Sequence, residues 1–90
     1  MKAIVTVLGR DRVGIIASVC ALLSEYNINI LDISQTILEQ GYFTMVLLVD
    51  MSACTESFPE IADKLDAYGT ERGLAVRIQR EDIFNAMHRI

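Results

Sequence analysis

The residues Gly9-Arg10-Asp11-Arg12-Val13-Gly14-Ile15 join an apolar run to an amphipathic one, and this joint constrains the fold more than any other feature. Ahead of it, Ala3-Ile4-Val5-Thr6-Val7-Leu8 is β-branched and continuous, which suits a buried strand. Behind it, Ile16, Val19, Cys20, Leu23 and Tyr26 recur at helical spacing and give one apolar face. The loop therefore opens a helix whose first backbone N–H groups lack internal partners and carry partial positive charge. Asp11 can cap those donors, and glycine on either side lets another molecule approach the backbone closely. A small anionic group is what such a turn accepts.

The rest of the chain repeats the same kinds of element. Asn29 to Leu38 reads as a second strand, Gly41 as a turn, and Tyr42 to Met51 as a third strand joined by a hairpin. Polar residues from Ser52 to Ser57 lead into a second helix, with Pro59 near its start where a missing N–H does no harm. Phe58, Ile61, Ala62, Leu65 and Tyr68 form its buried stripe, while Glu60, Asp63, Lys64 and Asp66 face water. Gly69 and Gly73 punctuate its end, and Leu74 to Arg80 is a fourth strand with Val76 and Ile78 pointing inward. Right-handed crossovers fold this order into an α+β, ferredoxin-like βαββαβ domain: a four-stranded antiparallel sheet with two helices on one face. That domain occupies residues 1–80. In the tail, 81–90, Ile83, Phe84, Met87 and Ile90 fall on one helical face, a short amphipathic helix too short to stand without docking on the domain or a dimer partner.

Composition excludes several classes of function. Ninety residues make one domain with a single modest core. Eight Lys and Arg against 12 Asp and Glu leave a net charge of -4, where a nucleic-acid surface needs a dense basic patch. The apolar runs are of strand length, so no membrane segment is expected, and no signal peptide is recognised, which makes the cytoplasm the expected compartment. Cys20 and Cys54 are widely spaced and lack neighbouring histidine, so free thiols are expected rather than a metal site or a disulfide. No cofactor is expected. His88 has no carboxylate or cysteine constellation, and no histidine is partnered with a carboxylate or nucleophile, so the chain does not read as an enzyme.

One sheet face must meet the helices and the other is open. Alternation puts Leu31, Ile33 and Ile37 on one side of the second strand, with Asp32, Ser34 and Thr36 on the other. Phe43, Met45, Leu47 and Val49 oppose Thr44, Val46 and Leu48 in the third. The side that carries Thr36, Thr44 and Arg77 thus also carries Val46 and Leu48, and draws in Leu38, Ile4 and Leu8. That mixture is too apolar for a solvated face, so a covering partner is expected: a second copy of the chain, with the tail contributing to the interface, or the tail alone.

Gly9, Asp11, Gly14 and Ile15, followed by Asn27-Ile28-Asn29-Ile30 entering the second strand, resemble the motifs of the ACT-domain family, and the resemblance runs from about residue 2 to 80. The chain looks most like the small stand-alone bacterial members and the single repeats of the glycine cleavage system repressor. The resemblance implies binding of an amino acid or similar small metabolite, commonly at an interface between two domains. By position it nominates Arg10, Asp11, Arg12, Val13, Gly14 and Ile15, with Asn29 and Leu31. A carboxylate would sit on the N–H groups of Gly14 and Ile15, an ammonium would meet Asp11, and the Asn29 amide could serve either end. Serine-binding members carry His where this chain has Gly9, which departs from their pattern. A stand-alone domain must also pass any regulatory output to a separate protein.

Structural duties compete with these assignments. Asp11 can be a helix cap and nothing more, Gly14 a packing residue, and Asn29 a partner for turn backbone groups. Arg10, Arg12 and His88 suit solvent, and Met45, Met51 and Met87 suit packing. The alternative function is a dimeric protein-interaction module without a small ligand, docking an unidentified protein through Val46 and Leu48 on the open sheet face.

Overall fold

The computed structural model describes residues 1–10 and 14–82. The initial apolar run forms β1 (Lys2–Arg10), and the stripe beyond the glycine loop forms α1 (Ile15–Glu25). Next come β2 (Asn29–Ile37), a 3-10 turn (Glu39–Gly41), β3 (Tyr42–Asp50), α2 (Phe58–Arg72) and β4 (Ala75–Arg80). The strands make one antiparallel sheet in the order β2-β3-β1-β4, so each strand-helix-strand unit steps over one strand. This is the ferredoxin-like architecture, with both helices on one sheet face. The tail helix expected over 81–90 lies outside the described residues beyond Asp82.

Register explains the core. Val5 pairs with Leu47 and Ile78, and Val7 with Met45 and Val76, so these side chains share one face. Val19 and Leu23 of α1 and Ile61 and Leu65 of α2 close over them, all fully buried. Between the helices, the Ser18 and Tyr68 hydroxyls hydrogen-bond. The Lys64 ammonium bonds Glu56, which raises its pKa, and lies 4.9 Å from the Tyr26 ring centroid.

Two expectations about the helices are corrected. α1 begins at Ile15, so its buried seats fall at Ile15, Val19 and Leu23, four residues apart; Ile16, expected inside, is 37% exposed. Gly69 does not end α2 but is buried within it. A Cβ there would stand 2.6 Å from the Leu74 carbonyl oxygen and 3.2 Å from the Val76 nitrogen, so glycine lets the helix lie directly against β4.

Helix termini account for several motif residues. Gly73, at φ 71°, stops α2 in a Schellman motif: Leu74 N–H donates to the Gly69 carbonyl at 2.7 Å and Gly73 N–H to that of Thr70 at 3.4 Å. α1 ends the same way on Asn27, at φ 58°, with Ile28 N–H on the Leu23 carbonyl at 3.0 Å. The first asparagine of Asn-Ile-Asn-Ile is therefore a helix stop. At the start of α2 the Ser57 hydroxyl accepts the Glu60 N–H at 3.3 Å and donates to the Glu60 carboxylate at 3.1 Å. Ser57→Ala is expected to cost about 1 kcal/mol and Ser57→Asp much less, read as thermal midpoints by circular dichroism.

Candidate functional site

Arg10 ends β1, and its guanidinium lies 5.2 Å from the ring centroid of Tyr42, its cross-strand neighbour. Gly14 caps α1 with φ 87° and ψ 1°, a conformation that L side chains rarely adopt. Open space extends at least 4 Å from where its Cβ would stand, so this stretch of backbone is approachable. Ser18 N–H makes the first helical bond, to the Gly14 carbonyl at 2.9 Å. The N–H groups of Ile15, Ile16 and Ala17 thus lie ahead of that bond, and no acidic residue stands in the first turn of α1. The Ile15 side chain belongs to the core, at 6% exposed, which leaves only its backbone to a ligand. Asp11, Arg12 and Val13 lie outside the described residues; the N-cap seat itself belongs to Gly14.

Gly9 has a different duty from the one expected. It is buried, and a Cβ on it would meet Leu74 Cδ2 at 2.4 Å. The absent side chain makes room for Leu74, not for a visiting molecule, and a larger residue at 9 would displace that leucine.

Asn29 stands at the other end of the sheet. It opens β2, is exposed, and pairs with Asp50, which pairs in turn with Lys2. The Ser52 hydroxyl and N–H donate to the Asp50 carboxylate at 2.6 and 3.0 Å and hold its pKa below the ordinary value. Ser24, Asn27, Ile28, Asn29 and Ala53 line a shallow depression of about 240 Å³ beside it. Ile37, at the far end of β2, pairs with Phe43, and Phe43 with Gly9. Eight strand residues therefore separate Asn29 from the level of the glycine loop, about 26 Å at ~3.3 Å per residue. Among the described residues, one copy of the chain does not bring Arg10 and Gly14 together with Asn29.

Between these ends runs the β2 edge. A bulge between Ile30 and Asp32 resets the alternation, so Ile30, Ile33 and Ile37 all pair with core residues of β3. The helices do not reach over them: Ile33 is 42% exposed, Ile37 59% and Leu31 43%, with Leu38 and Tyr42 exposed nearby. Apolar exposure was expected on the open face, where Ile4 pairs with Leu48, Thr6 with Val46 and Leu8 with Thr44. Of those apolar residues Ile4, Val46 and Leu48 are half-buried and only Leu8 is exposed, so the larger exposure follows β2. Gln35 was the overlooked signal. It shares the side of Ile33 and Ile37 and pairs with Met45, which marks that stretch as reaching solvent. Tyr42 was missed because only the register shows what Arg10 lies upon.

Among the described residues no three His, Cys, Asp or Glu side chains cluster as a metal site, and no helix is long and apolar enough to cross a membrane. Residues 2–79 match the ACT domain. A UPF0237 protein of Clostridium acetobutylicum is 52% identical over 90 residues, covering 100% of both chains. An ACT domain protein from Streptococcus pneumoniae superposes with a TM-score of 0.82 at 40% identity, over 93% of each chain. A formyltetrahydrofolate deformylase from Pseudomonas syringae pv. tomato shares the fold, with a TM-score of 0.78 at 22% identity over 88% of this chain and 27% of that one. Matched from residue 2 to residue 79 and aligned end to end with a relative half identical to it, the chain belongs to the ACT-domain family.

Proposed function

We propose that the protein is a non-catalytic regulatory module that binds an amino acid or similar small metabolite between two copies of the chain and signals to a separate protein. The observation that carries this reading is the separation of Asn29 from the glycine loop along an unpaired, apolar β2 edge. Two β2 edges paired antiparallel about a two-fold axis near Ile33 would set Asn29 of one copy against Ile37 of the other. Ile37 lies two strands from the end of β1 and that asparagine one strand beyond it, so about 14 Å would then separate it from the glycine loop, room for a small metabolite.

Chemistry assigns the ends of the ligand. The N–H groups at the start of α1, which lie ahead of its first helical bond, suit a carboxylate, and the approachable Gly14 backbone lets it sit close. Arg10 and Arg12 add positive charge around it, Asp11 would hold an ammonium, and Val13 would line the loop. Asn29 from the second copy can donate or accept, and Leu31 beside it offers apolar contact. Pairing would also cover Leu31, Ile33 and Ile37 and satisfy the ladder groups of an edge strand.

Thermal denaturation of the purified protein against the twenty amino acids, purines and pyrimidines tests the reading. A ligand at 100 times its dissociation constant adds about 2.7 kcal/mol, enough to raise the midpoint by roughly 10 °C or more. Asn29→Ala is expected to abolish that shift while leaving the unliganded midpoint nearly unchanged, and Leu48→Glu to leave the shift intact. No shift from any compound, with loss of a protein partner on Leu48→Glu, would instead identify an interaction module on the open face.

A further inference from the structure

We infer that the outer edge of β4, with the groove between it and α2, takes an extended segment of another protein by strand addition. The segment carries a basic, an acidic and a basic residue in succession. This docking is independent of metabolite binding and of pairing along β2.

β2 and β4 are the two edges of the sheet. β4 is paired with β1 on one side, from Ala75 opposite Leu8 to Arg80 opposite Ala3. Among the described residues nothing pairs with its other side, so alternate backbone N–H and C=O groups of Ala75–Arg80 face outward. Beside that edge, Ala62, Asp63 and Asp66 of α2 and Val76, Arg77 and Ile78 of β4 line a groove of about 270 Å³. An open strand edge flanked by such a groove suits an added strand: the ladder supplies affinity, and the groove reads alternate side chains.

Charge names the occupant. Asp63 and Asp66 are exposed, and neither carboxylate has a hydrogen bond or an ion pair among the described residues. α2 turns back into β4 through Gly73, and Gly69 rests on Leu74 and Val76. Asp66, about 4.5 Å earlier along the helix at ~1.5 Å per residue, therefore lies level with Val76, and Asp63, as far again, level with Ile78. Residues on one face of an added strand recur every ~6.6 Å, so two basic residues two places apart would meet the two carboxylates. The residue between them would face the other side of the sheet, in the row of Arg77 and Thr6, where an acidic side chain complements Arg77. A second copy of β4 fits less well. It would bring Val76, Ile78 and Arg80 to the helix side, a single cation whose guanidinium already lies 3.2 Å from the Asp82 carboxylate.

Panning a phage-displayed library of random peptides against the full chain tests the docking. Selected peptides are expected to share Lys or Arg at two positions two apart, with Asp or Glu between them. A synthetic copy of the selected sequence is then titrated by fluorescence anisotropy. Asp63→Lys combined with Asp66→Lys should weaken its binding at least about tenfold while leaving the thermal midpoint nearly unchanged, because both side chains are exposed and unpaired. Arg77→Glu should weaken it too, and a peptide with lysine at the acidic position should recover binding to that variant. Amide NMR shifts on binding should fall in β4 and along residues 62–66. Failure to select any peptide, selected peptides without the basic pair, or binding unmoved by the two lysines would overturn the inference. So would shifts confined to Asn29–Ile37, which would put the peptide on the β2 edge. A dimer that Asp63→Lys with Asp66→Lys dissolves, read by light scattering, would put a second copy in the groove and overturn it as well.

Discussion

Gly69→Val is expected to lower the thermal midpoint by more than about 12 °C, a loss of at least ~3 kcal/mol. Two effects oppose each other at this site. Glycine inside a helix costs roughly 0.5–1 kcal/mol relative to alanine, so any substitution recovers part of that. The recovery is outweighed by sterics, because the new Cβ would stand 2.6 Å from a backbone oxygen of Leu74 and 3.0 Å from Val76 Cγ2. Neither neighbour can yield cheaply. The Leu74 N–H is tied to the Gly69 carbonyl at 2.7 Å, and Val76 sits in the core at 2% exposed, paired with Val7. Valine adds two methyl groups to the clash, so α2 must lift from β4. A domain of this size commonly holds about 5–13 kcal/mol in all, which makes the loss a large share of its stability. Thr70→Val, one position along on the exposed side, is the control and should shift the midpoint by only a degree or two. Equal, small effects at both positions would show that the helix does not rest on β4 through its glycine.

Gly69 also shows where reading the residues stops. The element order, the two helices and the alternation of β3 were legible because hydrophobic periodicity depends only on neighbours in sequence. Phe43, Met45, Leu47 and Val49 lie inside as their spacing requires. The duties of the glycines were not legible, because each depends on what faces it. Gly9 and Gly14 look alike in the loop, yet one makes room for Leu74 and the other supplies a left-handed turn in open space. Ile15 and Ile16 likewise exchange seats on the helix boundary, which lies one residue from where the stripe alone would put it. For the candidate site, sequence reading nominates a set of residues but not a place. Arg10, Gly14, Asn29 and Leu31 are all where their elements should carry them, but only the strand register reveals that they occupy opposite ends of the sheet. A nominated set that one chain cannot assemble argues for a second chain.

Mixing Asp11→Ala protein with Asn29→Ala protein is therefore expected to restore ligand binding that neither variant has alone. In a two-fold dimer paired along β2, each interface site takes its loop from one copy and its asparagine from the other. A dimer of two Asp11→Ala chains has two damaged loops, and a dimer of two Asn29→Ala chains lacks both amides. The mixed dimer differs. One of its sites combines both defects, and the other joins an intact loop to an intact Asn29. Random reassortment makes half the dimers mixed, each with one good site, so about a quarter of the wild-type capacity returns. Isothermal titration of the mixture with the ligand found by thermal screening reads this directly: the affinity should be wild-type and the stoichiometry reduced. A site built within one chain predicts no restoration at any mixing ratio, since no combination of the two variants contains an intact copy. Ile33→Lys separates edge pairing from other arrangements, because a lysine at the centre of an exposed strand edge opposes strand addition. Carried by both members of the mixture, it should leave the fold intact, yield monomers by light scattering, and abolish the restored binding. Restoration that survived Ile33→Lys would keep the shared site but move the pairing of the two chains away from β2.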